Sequence, residues 1–148
     1  MKRLIALGVI ALSINAGASC TDDFNKGLSE FDFGMTYFNS GSDSYNSAVD
    51  ESRGQARRSV ICSHLMKATT GFDVANSSFT NCESAFSSAI QSCEGQSREI
   101  ARENAGVCTG NKDVALNNYQ QVSLTFRRTC FATESSKTSV ELNSLESL

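Results

Sequence analysis

The chain has 148 residues, a length typical of one domain, with six Cys and no Pro or Trp. Residues 1–18 contain Lys2 and Arg3 but no acidic residue, so the remainder has 11 basic and 16 acidic side chains, a net charge of −5. This balance argues against general nucleic-acid binding, which depends on neutralising phosphates, and against a polybasic membrane-surface protein.

Residues 1–18 have the three parts of a secretory signal peptide. Lys2 and Arg3 form a positive start, an apolar run follows over residues 4–14, and Ala16 and Ala18 are the small residues of a cleavage site. The apolar run is shorter than the roughly 20 residues that a membrane-spanning helix needs. We therefore expect cleavage after Ala18 rather than a buried N-terminal helix. The product would be secreted and extracellular, or periplasmic if the source is bacterial, without a membrane span.

The six cysteines behind this segment predict three disulfides. Acylation of Cys20, as in a bacterial lipoprotein, is the alternative, but it would leave an odd number of cysteines in an oxidising compartment. The sequence has no C-x-x-C or H-x-x-x-H spacing and only one His, so neither a zinc site nor dithiol redox chemistry is expected.

Apolar periodicity predicts an all-α fold, a small disulfide-stapled bundle of three to five helices. We expect a single domain over residues 19–132 and a poorly ordered tail over 133–148, with no internal repeat. Gly71, Gly95 and Gly110 are interpreted as helix ends or interruptions. The predicted elements in chain order are a short helix near 22–38, a loop at 39–43, and helices over 45–69, 73–94, 97–107 and 112–131.

This order suggests a disulfide map. Cys82 and Cys93 lie 11 residues apart on one predicted helix, which separates their Cα atoms by about 16 Å, whereas a disulfide requires less than about 7 Å. A hairpin that turns at Gly71 would place Cys82 opposite Cys62. The predicted bonds are Cys62–Cys82, Cys93–Cys108 at the ends of the short helix, and, by elimination, Cys20–Cys130.

Catalytic residues are not evident. The one histidine, His64, has no partner motif, and no G-x-S-x-G nucleophile elbow occurs. The acidic pairs, Asp22–Asp23, Asp50–Glu51 and Glu99–Glu103, are better interpreted as solvated faces, with Glu99 paired to Arg102. We therefore expect no enzyme activity, cofactor or metal.

Two features suggest binding, and a third suggests glycosylation. Arg53, Arg57 and Arg58 form a local basic patch, with Arg127 and Arg128 a second, although either can simply be a solvated face. Asn76 begins the sole N-glycosylation sequon, near a predicted helix start. The nine Phe and three Tyr are consistent either with a core or with a pocket for a lipophilic ligand.

One segment resembles a known family. The pattern of Phe79, Cys82, Phe86, Ile90 and Cys93, followed by Arg98-Glu99-Ile100, is similar to the central region of the insect secreted proteins of the TsetseEP type, over about residues 45–130. The resemblance implies an extracellular setting and no site residue. The cysteine intervals of 41, 19, 10, 14 and 21 residues differ from those of insect odorant-binding proteins.

The sequence therefore favours a secreted, non-enzymatic interaction protein that presents a rigid helical surface to an extracellular protein. The second hypothesis is an extracellular carrier of a small lipophilic ligand. If the source is bacterial, the first hypothesis becomes a periplasmic inhibitor or immunity protein.

Overall fold

A computed structural model describes residues 17–131. It contains three helices: α1 over Ala18–Arg53, α2 over Arg58–Ser92 and α3 over Gly95–Phe131. Each is about 55 Å long at 1.5 Å per residue. The predicted disulfide-stapled helical bundle is confirmed for this part of the chain. The predicted tail over 133–148 lies outside the described residues, as does all of the predicted signal peptide before Gly17.

Three of the four expected breaks between helices are wrong. The predicted loop at 39–43 lies inside α1, Gly71 lies inside α2, and Gly110 lies inside α3. The break expected at Gly95 is confirmed, because α2 ends at Ser92 and the chain turns at 93–94, just before Gly95, which has a φ of +54°. The other turn, at residues 54–57, was not expected. Glycine suggested helix ends because it weakens an isolated helix, but Gly41 and Gly71 are buried between α1 and α2.

A seven-residue repeat, which we did not expect, determines how α1 packs. An aromatic residue alternates with a small residue at steps of three and four, the spacing that keeps one seam of a helix against a neighbour. All members are buried: Phe24, Gly27, Phe31, Gly34, Phe38, Gly41, Tyr45 and Ala48.

The α1 aromatics meet those of α2 in a constant antiparallel register. The three ring pairs have centroid distances of 5.1–5.8 Å: Phe24–Phe86, Phe31–Phe79 and Phe38–Phe72. Each α2 ring also covers a glycine of α1. A Cβ atom built on Gly27 would lie 2.7 Å from the Phe86 ring, and one on Gly34 would lie 2.7 Å from the Phe79 ring. The glycines therefore leave the space on α1 into which the α2 rings pack.

Three disulfides join the helices, and all six cysteines of the chain are paired. Their Cα–Cα distances are 4.9–5.9 Å, within the normal range. The bonds are Cys20–Cys93, Cys62–Cys130 and Cys82–Cys108. Because the Cys20 sulfur is bonded to Cys93, it is not available for a thioether to lipid.

The three predicted pairings, Cys62–Cys82, Cys93–Cys108 and Cys20–Cys130, are wrong. The first depended on a hairpin turn at Gly71, whereas the turn precedes Arg58. The second depended on a short helix between the two cysteines, whereas α3 continues through Cys108 to Phe131. The third followed from the other two by elimination. Cys62 and Cys82 consequently lie on the same helix, about 30 Å apart. Cys20, at the start of α1, meets Cys93, just beyond the end of antiparallel α2.

Helix α3 adds a polar row to the core. Asn104, Asn111 and Asn118 recur every seven residues and are at most 3 % exposed. The Cys82–Cys108 bond fixes an antiparallel register in which each Asn lies level with one of the α2 phenylalanines. Within residues 17–131, the Nδ2 atoms of all three amides have no hydrogen-bond partner. The bundle thus repeats layers of two Phe and one Asn.

Candidate functional site

The fold brings together the two basic patches that the sequence suggested separately. Arg53 ends α1, Arg57 and Arg58 begin α2, and Arg127 and Arg128 lie in the final turn and a half of α3. All five are exposed. Since α2 runs antiparallel to both other helices, these termini share one end of the bundle. We name these five residues the basic end.

Two connections between α2 and α3 hold this end in place. The Cys62–Cys130 disulfide lies within this end, four residues after Arg58 on α2 and two residues after Arg128 on α3, with Cα atoms 5.8 Å apart. The Arg58 Nε–H donates a hydrogen bond of 2.6 Å to the carbonyl oxygen of Thr129. Arg58 thus satisfies a carbonyl in the last turn of α3, where a cation also complements the helix dipole. The arginines are displayed on a fixed framework.

The basic end differs in charge from the rest of the molecule. Its five arginines are accompanied by Asp50 and Glu51, and Arg53 lies 4.0 Å from Asp50. The rest of residues 17–131 has five basic and eleven acidic side chains. Although the chain has a net negative charge, its positive charge is therefore concentrated at one end of the bundle.

Helix electrostatics explain only part of this cluster. Arg53, Arg127 and Arg128 lie at helix C-termini, where cations are stabilising. Arg57 and Arg58 lie at the N-terminus of α2, where they are not, and α2 has no acidic residue in its first turn and no side-chain cap. Arg58 has its partner on α3, but Arg57 occupies an electrostatically unfavourable position.

Exposed apolar side chains adjoin the arginines. Leu124 and Phe131 are 52 % and 70 % exposed, and they lie seven residues apart on one face of α3, with Arg127 and Arg128 between them. Val60, 38 % exposed, lies in the first turn of α2. We name Leu124, Arg127, Arg128 and Phe131 the α3 strip. The apolar half of this strip was not predicted from the sequence, although the seven-residue spacing of Leu124 and Phe131 is the signal that indicates it.

The other suggested residues lie elsewhere. His64 is half-buried and borders an open cleft of about 540 Å³ with Lys67 and Asp43. Asn76 is half-buried in the middle of α2, so the expectation of a helix start is wrong. Its sequon also contains Ser78, which is buried.

Three acidic side chains have ordinary polar partners within the chain. Glu99 pairs with Arg102 on the surface of α3, as predicted, and the hydrogen bond from Arg102 lowers the pKa of Glu99. Glu83 accepts a 2.5 Å hydrogen bond from Lys112 that links α2 to α3, and this bond is the main cause of the lowered pKa of Glu83. Asp23 accepts a hydrogen bond of 2.8 Å from Ser92.

Within residues 17–131, no group of three or more His, Cys, Asp or Glu side chains is placed to hold a metal ion. None of the three described helices combines the length and hydropathy needed to cross a bilayer.

Comparisons with protein-family models, curated proteins and solved structures give no match. The resemblance to TsetseEP-type proteins therefore stays a prediction.

Proposed function

We propose that this chain is a secreted, non-enzymatic binding protein whose basic end contacts an anionic extracellular molecule. The observation that supports this most directly is the convergence of five exposed arginines from three helices. Arginine is suited to such contacts because its planar guanidinium donates paired hydrogen bonds to carboxylate, phosphate or sulfate oxygens.

The disulfides support an extracellular setting and a rigid module. Three bonds join the long helices near both ends and in the middle, and such bonds persist in oxidising compartments. With all six cysteines paired, none is a thiolate nucleophile. Binding through a fixed surface requires no moving part and no reactive group.

No specific observation favours the second hypothesis, that the chain carries a lipophilic ligand. Six of the nine phenylalanines form the three ring pairs between α1 and α2, so they fill the core. An open cleft of about 720 Å³ between these helices is lined largely by polar residues, including Glu30, Asp32 and Asp73. Lipophilic ligands favour enclosed apolar pockets. We therefore develop only the binding hypothesis.

The proposal is tested by retention of the chain over residues 19–148 on immobilised heparin, a polyanion without a lipid phase. A protein of net charge −5, the value for these residues, is retained at low salt only if its positive charge is segregated. We expect retention, and earlier elution of R57E/R127E/R128E. The matched control, K26E/K67E/R102E, makes the same change in net charge at exposed positions outside the basic end.

Equal elution of the two triple variants would show that the basic end is not the contact surface. Failure of the wild type to bind at low salt would contradict the proposal altogether. Circular dichroism and non-reducing mass spectrometry establish that every variant retains its helices and its three disulfides.

A further inference from the structure

We infer that the anionic partner is a phospholipid surface, on which the basic end docks through the α3 strip. The inference rests on the proposed function and specifies its partner. The shared chemistry of the possible partners is an array of phosphate, sulfate or carboxylate groups. The apolar residues between the arginines favour lipid among them.

The α3 strip interleaves the two side-chain types that a bilayer interface accommodates. Arg127 and Arg128 provide cations for lipid phosphates, and Leu124 and Phe131 flank them on the same face. A basic helix face with aromatic and aliphatic anchors binds in the headgroup region by combining charge attraction with apolar burial. A sulfated glycan offers the charge but no apolar phase for these two side chains.

The apolar anchors, Leu124 and Phe131, are exposed in the C-terminal part of α3. Phe131 is 70 % exposed, although its ring also contacts Phe126 at a centroid distance of 5.3 Å. Val60 adds apolar surface on α2, close to Arg57. The Cys62–Cys130 bond keeps these two helix termini together, so ordering them on a membrane requires little further loss of conformational freedom.

The position of the acidic residues is compatible with this mode. Attraction and repulsion at a membrane fall off over about 8 Å at physiological salt. The helices extend about 55 Å from the basic end, and most of the acidic residues lie in the far half of the bundle, beyond that range when this end tilts onto the membrane with the α3 strip against it. The negative net charge of the sequence argues against a membrane-surface protein. However, the net charge sums over basic and acidic residues that the fold places in different parts of the bundle.

Vesicle co-sedimentation tests the inference. The full chain is mixed with vesicles of phosphatidylcholine alone or with phosphatidylglycerol added. We expect binding only to the second kind, reversed by high salt. Each basic residue near an anionic surface strengthens binding about fivefold, so R57E/R127E/R128E should weaken it at least about a hundredfold. The control K26E/K67E/R102E should bind like the wild type.

A second pair of variants tests the apolar anchors without changing charge. L124S/F131S should weaken vesicle binding about tenfold or more and leave heparin elution unchanged. F33S/L116S removes the same two residue types at exposed positions away from the basic end, and it should leave both unchanged. Equal vesicle binding by these two variants would overturn insertion of the α3 strip.

Tryptophan fluorescence reports the docking site directly, because the chain has no Trp. Emission of F131W should shift to the blue on addition of phosphatidylglycerol vesicles, whereas F33W should not shift. A shift of F33W alone would overturn the docking geometry.

These experiments distinguish failure of the lipid assignment from failure of the proposed binding function. Retention on heparin without binding to anionic vesicles would overturn the lipid assignment and leave the binding function standing. Sedimentation of the wild type in the absence of vesicles, abolished in L124S/F131S, would show that the α3 strip binds other copies of the chain and would likewise overturn the lipid assignment.

Discussion

The backbones of Gly41 in α1 and Gly71 in α2 are in direct contact across the helix interface. A Cβ atom built on Gly71 would lie 2.7 Å from the Gly41 Cα and 2.9 Å from its nitrogen. Real Cβ atoms do not approach other atoms so closely, and here the obstacle is backbone. The pair therefore determines how closely α1 and α2 pack.

Gly71→Ala should destabilise the protein by about 1–3 kcal/mol, because the added methyl forces the helices apart. Gly110→Ala is the matched control, since Gly110 is a helical glycine with no atom within 4 Å of the added Cβ. It should stabilise α3 by up to about 1 kcal/mol through helix propensity. Urea unfolding monitored by circular dichroism measures both changes, and equal effects would contradict the close contact.

The same glycines show why the helix boundaries were beyond the sequence interpretation. A glycine in a polar stretch has one local meaning, helix termination, and one tertiary meaning, close approach of another backbone. Gly41 lies in the run predicted as a loop, yet it is buried against Phe72. Only the seven-residue spacing of Gly27, Gly34 and Gly41 indicates close helix packing rather than a helix end. This spacing is seen only if the sequence is searched for a repeat before helix ends are assigned.

The disulfide map shows how errors in the predicted helix boundaries lead to wrong cysteine pairings. The exclusion of Cys82–Cys93 needed only the rise of a helix, and the structure agrees with it. The predicted Cys62–Cys82 bond needed the position of the turn, which was misplaced by about 15 residues, and the predicted Cys93–Cys108 bond needed a short helix that is part of the long α3. Similarly, the arginines were identified from sequence, but their convergence depends on helix lengths that the sequence analysis had wrong.

The Cys62–Cys130 bond should be the first of the three to be reduced. Both of its cysteines are partly exposed, whereas the cysteines of the other two bonds are at most 1 % exposed. Thiol attack requires access to a sulfur atom. Limited dithiothreitol treatment followed by alkylation and peptide mapping should label Cys62 and Cys130 before the others. Earlier labelling of Cys82 or Cys108 would contradict the burial of the central bond.

Asn118→Leu should increase the free energy of unfolding by about 1–3 kcal/mol, because Leu has the same branching without a desolvated amide, whose burial is unfavourable. Asn118 is 1 % exposed, and neither its Nδ2 nor its Oδ1 has a hydrogen-bond partner among the described residues. The neighbouring Asn117 is half-buried on the same helix and serves as the control. Asn117→Leu should change stability little in urea unfolding.

A loss of stability in Asn118→Leu would indicate that the Asn row stabilises the bundle through contacts with the Phe layers. Such a row can also specify register at the expense of stability, as single polar residues do in coiled coils. Non-reducing peptide mapping distinguishes this role, because a shifted register would disturb the Cys82–Cys108 pairing of the variant.

The ion pair between Glu83 and Lys112 should make stability depend on pH in the acid range. Lys112 lowers the pKa of the Glu83 carboxyl from its ordinary value of 4.5. The folded state therefore binds the proton less well than the unfolded chain, and the stabilisation is complete above pH 4.5 and lost as pH falls through the lowered pKa. The Lys112 and Glu83 side chains are partly exposed, at 26 % and 33 %, so the contribution is at most about 1 kcal/mol. Glu83→Gln should be less stable than the wild type at neutral pH and equal to it in strong acid.

The control is the double variant E83Q/K112M, in which Lys112→Met should add little further loss of stability at neutral pH. A difference in stability between Glu83→Gln and the wild type that persists below the lowered pKa would show that packing, not the charge, is responsible.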